Sequence, residues 1–498
     1  MISDLLQIHV LIPWLLGMVF GVFVGATPGL TATMAVALIV PVSFYMPDPN
    51  TGLAMIIGVS FTAIFAGDIP ATYLRIPGTP ASAAATLDGH QLAKQGKGGY
   101  SLLMDLFCSC IGGLVGVALL MMIAPQLARF ALRFSSYEYF WLAIFGLSMS
   151  AVVSTGNTRR GLLAAAFGMI LATVGLDVVS GAQRFTFGNL ELMSGLGFIP
   201  VMIGLFGVSE VIRSTMAGFQ HNGENLDHNK KENSPLAAVL AIWKNKLTVA
   251  KSSIAGTLIG ALPGAGADIA AWAAYGIEQR SSKKGQKFGT GEEAGVIAPT
   301  SANNAAVSGA WIPALVFGIP GDAVTAIVLG AMMMYEIKPG PLIFEQNPEQ
   351  VGSIFLIALL TQLLLLPCGY LGLKTFGWLL KLPRSIIMVA VLVFSVIGSY
   401  SLRNSIFDVY VMAVFGIVGY FLEAKRVPLA PLILGLILGP MVEENFRTGL
   451  IKSEGSLLTF LTRPLCALLL VLLVLAFLSP KLLKLLKGDT NNHDRITS

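Results

Sequence analysis

The chain has 498 residues, of which 55% are hydrophobic and 12% are charged, and its mean hydropathy is +0.75. A soluble domain carries roughly twice that charged fraction, so the composition excludes an ordinary soluble enzyme and indicates a polytopic helical membrane protein. The net charge of +5 does not indicate nucleic-acid binding, because the lysines and arginines lie in loops between apolar segments, where a positive-inside bias explains them.

Apolar segments in chain order predict an all-α protein with about 12 transmembrane helices. The first series comprises residues 10–27, 30–41, 51–66, 101–124, 137–153, 161–179 and 196–211. The second series comprises residues 252–275, 295–335, 352–373, 385–400, 407–422 and 429–441, and a last segment, 457–478, follows it. Residues 91–99 and 279–291 contain Lys and Gly, so they are interpreted as solvated loops.

Two motifs occur in both series. GVFVGATPGLTATMA (residues 21–35) aligns with residues 256–270 at a shift of 235, which superposes Pro28-Gly29 on Pro263-Gly264. Pro70 and Pro77 of GDIPATYLRIPGTP (residues 67–80) align with Pro313 and Pro320 of GAWIPALVFGIPGD (residues 309–322) at a shift of 243. Two matches in the same order indicate a duplicated unit.

Pro-Gly inside an apolar helix removes a backbone donor and interrupts the helix. In hydrocarbon such a break is tolerated only where it is buried in protein or lines a polar cavity. We therefore predict discontinuous or re-entrant helices at both motifs of each repeat. Duplicated halves with breaks at corresponding positions are typical of secondary transporters, whose substrate binds where the repeats meet.

The charge distribution predicts the domain order and the topology. Residues 1–219 form the first repeat, 220–246 a hydrophilic linker, 247–450 the second repeat, and 451–498 an extra helix with a basic tail. Lysine-rich segments in the linker and in the tail favour a cytoplasmic location for both. Two inverted repeats satisfy both clusters and place the N-terminus outside.

Half-helix N-termini present unpaired N–H groups, so the breaks suit a carboxylate anion, and neutral polar side chains nearby could add hydrogen bonds. The predicted substrate-binding residues are Pro28, Gly29, Thr31, Thr33, Ser60, Pro263, Gly264, Ala265, Gly266, Ser301, Asn303 and Asn304. Two alternatives stay open. Thr31 and Thr33 could be helix N-caps, and Asn303 and Asn304 could serve as interhelical hydrogen-bonding residues.

Three carboxylates at the breaks are candidate ligands for a coupling cation, Na+ or a proton. Asp268 is the first choice, and Asp68 and Asp322 are further candidates. An ionised group at bilayer depth costs on the order of 3 kcal/mol, which favours a functional reason for its presence. A helix cap that faces water near the membrane surface is the alternative.

No other cofactor is expected, and no catalytic residue is predicted. The sequence contains no phosphate-binding G-x-x-x-x-G-K-[ST] motif, no HExxH and no GxSxG. The four cysteines lie in apolar runs, so packing is favoured over metal or redox chemistry. An intramembrane enzyme and a channel-forming subunit remain as alternatives to a carrier.

Four long motifs resemble the large membrane subunit of the tripartite tricarboxylate transporters. They are GATPGLTATMAVALIVPVSF (residues 25–44), GDIPATYLRIPGTPASAAATLDG (67–89), GALPGAGADIAAW (260–272) and APTSANNAAVSGAWIPALVFGIPGD (298–322). The likeness extends over nearly the whole chain, including residues 184–211.

This resemblance implies a multi-pass carrier of the bacterial inner membrane that imports citrate-like tricarboxylates with a cation gradient. It also implies two protein partners, a small membrane subunit and a periplasmic solute-binding protein. Members similar in sequence are associated with dicarboxylates or aromatic acids, so the resemblance leaves the substrate open among organic carboxylates.

Overall fold

The computed structural model describes residues 2–153, 157–177, 179–216, 234–281, 287–379 and 384–477. Its α-helices are, in chain order, α1 (Ile2–Leu5), α2 (Ile8–Gly25), α3 (Ala32–Ser43), α4 (Pro49–Ala66), α5 (Asp68–Leu74), α6 (Ser82–Lys94), α7 (Gly98–Ala131), α8 (Ser136–Val153), α9 (Thr158–Ala172), α10 (Phe198–Met202), α11 (Ser209–Met216), α12 (Pro235–Lys244), α13 (Lys246–Gly260), α14 (Gly266–Ser281), α15 (Glu293–Phe317), α16 (Ala323–Met334), α17 (Ile343–Gln346), α18 (Pro348–Leu379), α19 (Arg384–Ser401), α20 (Ile406–Ala424), α21 (Leu429–Lys452), α22 (Thr459–Thr462) and α23 (Pro464–Phe477). A π-helical stretch, Ile203–Val208, joins α10 to α11, and a 3-10 turn spans Glu191–Ser194. Strands β1 (Gly175–Leu176) and β2 (Gln183–Arg184) form one antiparallel pair.

The predicted class of all-α polytopic membrane protein is confirmed. Within the described ranges, seven helical segments are long and apolar enough to cross a membrane. Five shorter apolar helices accompany them, namely α3, α12, α16, α19 and α23. Helix α15 has 25 residues but carries the polar run 300–304 in its interior.

Three predicted segments differ from the observed elements. The span predicted at 161–179 is shorter, because α9 ends at Ala172 and the left-handed backbone of Gly175 (φ 119°) leads into the β-hairpin. The loop predicted at 91–99 is helical as far as Lys94. The span predicted at 457–478 begins as a continuous helix only at Pro464, a residue that favours the first helical turn.

The chain forms two compact units. Unit 1 contains residues 1–132 and 196–429, and unit 2 contains 133–195 and 430–498. Each unit includes parts of both predicted repeats, and the repeat boundaries stay a prediction. Of the predicted linker, residues 220–233 lie outside the described ranges, whereas 235–244 form α12, whose Ala238 and Ala241 are buried in a cluster with Cys108 of α7.

In unit 1 the helices α2 and α4 are in close contact through glycines. A Cβ on Gly21 would lie 2.9 Å from the Val59 carbonyl oxygen, and one on Gly25 would lie 2.3 Å from that of Ala63. Such small residues let helix backbones approach closely in membranes. Because the residue numbers rise together along the contact, α2 and α4 run in the same direction, and the intervening α3 must bring the chain back.

The corresponding helices α13 and α15 make the same contact. A Cβ on Gly256 would lie 2.4 Å from the Ala302 carbonyl oxygen, and one on Gly260 would lie 2.1 Å from that of Ala306. These four positions match the α2–α4 positions at the two predicted shifts. The first break in each repeat is therefore a turn that reverses the chain, as in a re-entrant helix, and does not divide one straight helix.

Helices α18 and α7 connect the two pairs. Trp14 of α2 donates through Nε1 to Thr361 of α18 at 3.2 Å, and Gly372 of α18 faces Val22 of α2 further along. The numbers again rise together, so α18 is parallel to α2.

Helix α7 is parallel to α15 and antiparallel to α18. Gly112 and Gly116 of α7 face Ser301 and Ala305 of α15, with both numbers rising. Toward α18 the order is opposite, because Leu106 meets Gly369 whereas Gly113 meets Gln362. Helices α2 and α4 are therefore antiparallel to α13 and α15, as expected for inverted repeats.

Unit 2 is built around α9 and α21. Gly168 of α9 packs on Leu432 of α21 and Gly435 of α21 packs on Ala165 of α9, so these two helices are antiparallel. Near the end of α21, Arg447 pairs with Asp177 of the hairpin at 2.7 Å. This ion pair ties the hairpin to the helix.

Candidate functional site

The first break in each repeat is a short turn that starts a new helix. Helix α2 ends at Gly25, and α3 begins after Thr31, whose Oγ1 accepts a hydrogen bond from the Met34 N–H at 3.2 Å. Gly29 has a φ of 95° and the matching Gly264 a φ of 82°. A left-handed backbone favours glycine, which explains the Pro-Gly order. The N-cap alternative for Thr31 is confirmed.

The second breaks lie later in their motifs than the first proline of each suggests. Pro70 lies inside α5 and Pro313 inside α15, and the helices end at Leu74 and Phe317. The next residues, Arg75 (φ 57°) and Gly318 (φ 68°), have the same left-handed conformation and are related by the shift of 243. The actual turns contain Pro77-Gly78 and Pro320-Gly321.

Within each repeat the two breaks touch. The Gly264 N–H donates to the Gly321 carbonyl at 2.7 Å, and a Cβ on Gly321 would lie 2.9 Å from the Gly260 carbonyl oxygen. In the first repeat a Cβ on Gly78 would lie 2.3 Å from the Gly25 carbonyl oxygen. Only glycine fits such close backbone contacts, which is why both second breaks carry it.

A contact between the repeats joins these pairs. The backbone N–H of Ala81, just after the second break of the first repeat, donates to the carboxylate of Asp268. Asp268 also interacts electrostatically with Asp322, and Gly266 packs on the Asp322 side chain. The four breaks thus form one continuous set of contacts within unit 1.

The predicted site residues divide by exposure. Gly29, Thr31, Thr33, Gly264 and Asp322 are partly exposed, and Asp268 is exposed. Pro28, Ser60, Asp68, Pro263, Ala265, Gly266, Ser301, Asn303 and Asn304 are buried. The first group could meet a ligand from solution, whereas the second could be reached only after the helices move.

The side chains of two of these residues already form hydrogen bonds with neighbours in the same helix. Asp322 caps α16, since its Oδ1 accepts from the Thr325 N–H at 2.7 Å and its N–H donates to Thr325 Oγ1. Ser60 donates to the Ile57 carbonyl at 2.7 Å. The helix-cap alternative for Asp322 is therefore confirmed, which leaves Asp268 and Asp68 as the carboxylates without such a local partner.

The buried group centres on α15. Asn303 Nδ2 donates to Asp68 Oδ2 at 3.4 Å, and Asn303 Oδ1 accepts from the Asn304 N–H at 2.6 Å. The Ser301 hydroxyl and both side-chain polar atoms of Asn304 are buried and have no hydrogen-bond partner among the described residues. Unpaired polar groups are costly in a protein interior, so they indicate a site where a ligand or water can bind.

Sequence reasoning missed Asp105 on α7. Asp105 is 2% exposed, and its Oδ1 accepts a hydrogen bond from the Ser109 hydroxyl at 3.1 Å. Its carboxyl group is within hydrogen-bonding reach of that of Asp68. The available signal was a single carboxylate in the apolar segment 101–124, which is costly in a membrane span.

Glu210 was also not assigned to the site. Its Oε1 would lie 3.4 Å from a Cβ on Gly29, and its carboxylate pairs with Arg213 and Ser214 of α11. Because Arg213 balances its charge, Glu210 does not by itself oppose an anion at the first break.

Among the described residues, no group of three His, Cys, Asp or Glu side chains could hold a metal ion. A cavity of ≈ 410 Å³ lies between α7 and the α17–α18 segment, lined by Arg129, Phe344 and Glu345 among others. It includes none of the predicted site residues. The polar groups at the breaks are therefore the better candidate site.

Comparisons with known proteins show which family the chain matches. The family model described as "Tripartite tricarboxylate transporter TctA family" matches residues 11–434. A protein of Agrobacterium vitis, named "Uncharacterized 52.8 kDa protein in TAR-I ttuC' 3'region", is 36% identical over 465 residues, which cover 91% of this chain and 89% of that protein. A second protein of the same organism, "Uncharacterized protein in TAR-II ttuC' 3'region", is 40% identical over 219 residues, covering 43% of this chain and 89% of its own length. No solved structure matches the chain.

Proposed function

The chain belongs to the tripartite tricarboxylate transporter TctA family, and on that premise we propose that it imports a citrate-like tricarboxylate by cation-coupled secondary transport. The family consists of membrane transporter subunits, not enzymes, and the helices long enough to span a bilayer agree with a multi-pass inner-membrane protein. What supports the carrier mechanism most is the continuous set of contacts that links four helix breaks of two inverted repeats.

The exposed part of this set suits an anion. Helices α3 and α14 each begin at a break, where the first N–H groups lack partners inside the helix and the helix dipole favours negative charge. Thr31 and Thr33 add hydroxyl groups that are partly exposed. We propose that a substrate carboxylate binds at these helix ends.

The breaks also provide a route to alternating access. Gly29, Gly264 and their neighbours carry left-handed backbone and few side-chain atoms, so small changes at the turns can move whole helices. A movement of one repeat would be transmitted to the other through the hydrogen bond from the Ala81 N–H to the Asp268 carboxylate. Substrate and cation binding would then bias the same equilibrium, which is what coupling requires.

The partners that we propose are a small membrane subunit and a periplasmic solute-binding protein, as in the tripartite systems of this family. A dicarboxylate or an aromatic acid is the alternative substrate, since the helix ends recognise a carboxylate and not a particular carbon skeleton. The names of both A. vitis relatives call them uncharacterized, so they do not distinguish between these substrates.

Transport in vesicles tests this function. The full chain, reconstituted with its small subunit and its periplasmic protein, should accumulate labelled citrate above the external concentration when an inward Na+ or proton gradient is imposed. Collapse of the gradient should release the label. Equilibration without accumulation would indicate a channel, and accumulation of a labelled dicarboxylate but not of citrate would select the alternative substrate.

A further inference from the structure

Two buried carboxyl groups face each other where α5 and α7 meet. Asp68 is 1% exposed and Asp105 is 2% exposed, and the two carboxyl groups lie within hydrogen-bonding reach. Asp68 was a candidate from the sequence, whereas Asp105 enters only because the fold places it there. Two like charges in one buried site cannot both remain ionised without compensation.

Donors contact the pair but leave one oxygen of each carboxyl group without a hydrogen bond. Asn303 and Ser82 hydrogen-bond to Asp68, and Ser109 donates to Asp105 Oδ1. Asp68 Oδ1 and Asp105 Oδ2 are buried, and no described residue donates a hydrogen bond to them. One oxygen of each carboxylate is therefore available to a ligand.

No basic side chain compensates the pair. Within the described ranges neither carboxylate forms an ion pair with lysine or arginine. Nearby titratable groups include the buried Cys108 thiol, which interacts with Asp105, and His90, whose Nδ1 lies 2.9 Å from the Thr72 carbonyl of α5. Tyr73 also lies on α5, and Tyr100 and Cys110 lie on α7, but none of these groups carries a positive charge. Burying unbalanced charge is costly, so the pair needs a positive charge from elsewhere.

We propose that Asp68 and Asp105 bind one monovalent cation, a proton or Na+, between their unpaired oxygens, and that this is the coupling site of the carrier. The coupling role rests on the proposed function, whereas the binding itself does not.

The position of the pair explains how cation binding to it can affect the substrate site. Asp68 follows Gly67, whose carbonyl accepts from the Gly78 N–H in the second break, and Asn303 links Asp68 to α15. A cation that neutralises the pair would relieve repulsion between α5 and α7. Weaker repulsion would change the preferred conformation of the second break of the first repeat, which is followed by Ala81, the contact of Asp268. Cation and substrate would then share one conformational equilibrium.

Thermal unfolding measures the binding without a substrate. The full chain, purified with its small subunit, is melted in NaCl and in choline chloride at equal ionic strength, and in choline chloride at a series of pH values. A Na+ site predicts a higher Tm in NaCl, and a proton site predicts a Tm that rises as the pH falls. Asp68→Asn and Asp105→Asn should each lose whichever response the wild-type protein shows.

Asp408→Asn is the matched control, because Asp408 is also fully buried but is paired with Arg403. It should keep the cation response. Since each Asn at 68 or 105 removes an unbalanced buried charge, these variants should melt no lower than the wild-type protein in choline chloride at high pH; a merely structural carboxylate would give a lower Tm. Wild-type melting that responds to neither cation, or an unchanged response in both variants, overturns the proposal.

Uptake of labelled citrate separates this proposal from the proposed function. Gradient-driven accumulation by wild-type vesicles should be lost in Asp68→Asn and Asp105→Asn and retained in Asp408→Asn. If the melting response is lost in both variants but wild-type vesicles accumulate nothing, the cation site stands and the citrate carrier fails. If wild-type vesicles accumulate citrate and both variants do so with the same cation dependence, the coupling site is wrong and the carrier stands.

Discussion

Buried acidic residues of unit 1 differ in how their charge is stabilised. Asp408 pairs with Arg403, and Asp88 accepts N–H groups from Gly289, Gly291 and Glu292 as well as the Tyr275 hydroxyl. Those partners fix the chain and leave little capacity for a ligand. Asp68 and Asp105, by contrast, keep unpaired oxygens, and we therefore assign ion binding to them and a structural role to the other two.

Thr31 offers a test of the anion site. Thr31→Val keeps the shape but removes the N-cap of α3, which costs about 1 kcal/mol and loosens the helix end that we propose binds a carboxylate. We expect the KM for uptake to rise about fivefold, with Thr31→Ser close to the wild-type protein. Thr27→Val is the control, because the buried Thr27 hydroxyl donates to the Phe23 carbonyl in the last turn of α2. Equal effects at both positions would contradict the assignment.

Asp177 in unit 2 predicts a pH dependence of stability. Hydrogen bonds from Arg447 hold the pKa of its carboxyl group well below the ordinary value. A group whose folded-state pKa is depressed stabilises the fold above its unfolded pKa of about 4, and this contribution is lost as the pH falls toward the folded value. The Tm should therefore fall on acidification below about pH 4, and fall less steeply in Asp177→Asn. Parallel curves for the two proteins would show that the pair does not stabilise the fold.

At the scale of helices, glycine contacts determine which elements can be neighbours. The same spacing of glycines occurs in α2 and α13, and in each pair these glycines face the backbone of the partner helix at matching positions. Helix α15 is buried over almost its whole length because α7, α13 and α14 all pack against it. Its polar side chains consequently meet the carboxylates of other elements and not lipid.

Gly256→Ala tests this packing. The added Cβ would lie 2.4 Å from the Ala302 carbonyl oxygen and 2.7 Å from its Cα, so α13 and α15 must separate. Overpacking of this kind costs roughly 1–3 kcal/mol, which should appear as a lower Tm. Gly276→Ala in α14 is the matched control, since nothing lies within 4 Å of its Cβ position and alanine favours a helix by about 1 kcal/mol. A Tm that is equally low in both variants would indicate a general intolerance of substitution.

At the scale of the whole molecule, the contact registers agree with two inverted repeats, whereas the direction of the chain across the membrane is set by charge. Lys230 and Lys231 of the linker and the lysines of the tail lie outside the described residues, whereas Lys244 ends α12 and Lys246 begins α13. Their cytoplasmic location stays a prediction from the positive-inside bias.

Cysteine labelling tests that topology. A single cysteine introduced between residues 220 and 231 should react with an impermeant reagent only after the inner membrane is opened. The four native cysteines are buried and should add little background. Modification in cells whose outer membrane alone is permeable would reverse the predicted orientation.

The sequence by itself determined the class of fold, the positions of the first breaks and the duplication. These follow from local properties: apolar length predicts a span, Pro-Gly interrupts a helix, and Thr31 caps the next one. In the first repeat the second break lies later in its motif, because Pro70 is accommodated in the first turn of α5, where its missing N–H costs no hydrogen bond.

Only the tertiary structure decided which polar residues come together. Asp68 and Asp105 are separated by the turn after α5 and by all of α6, and periodicity along α7 says nothing about which helix its Asp105 faces. Asp322, like Asp68, is a carboxylate at a break between apolar segments. It nevertheless caps α16, because the Thr325 N–H lies one turn further along the chain. The physical reason is that hydrogen-bond partners and counter-charges come from distant segments, so the state of a buried carboxylate depends on the fold that surrounds it.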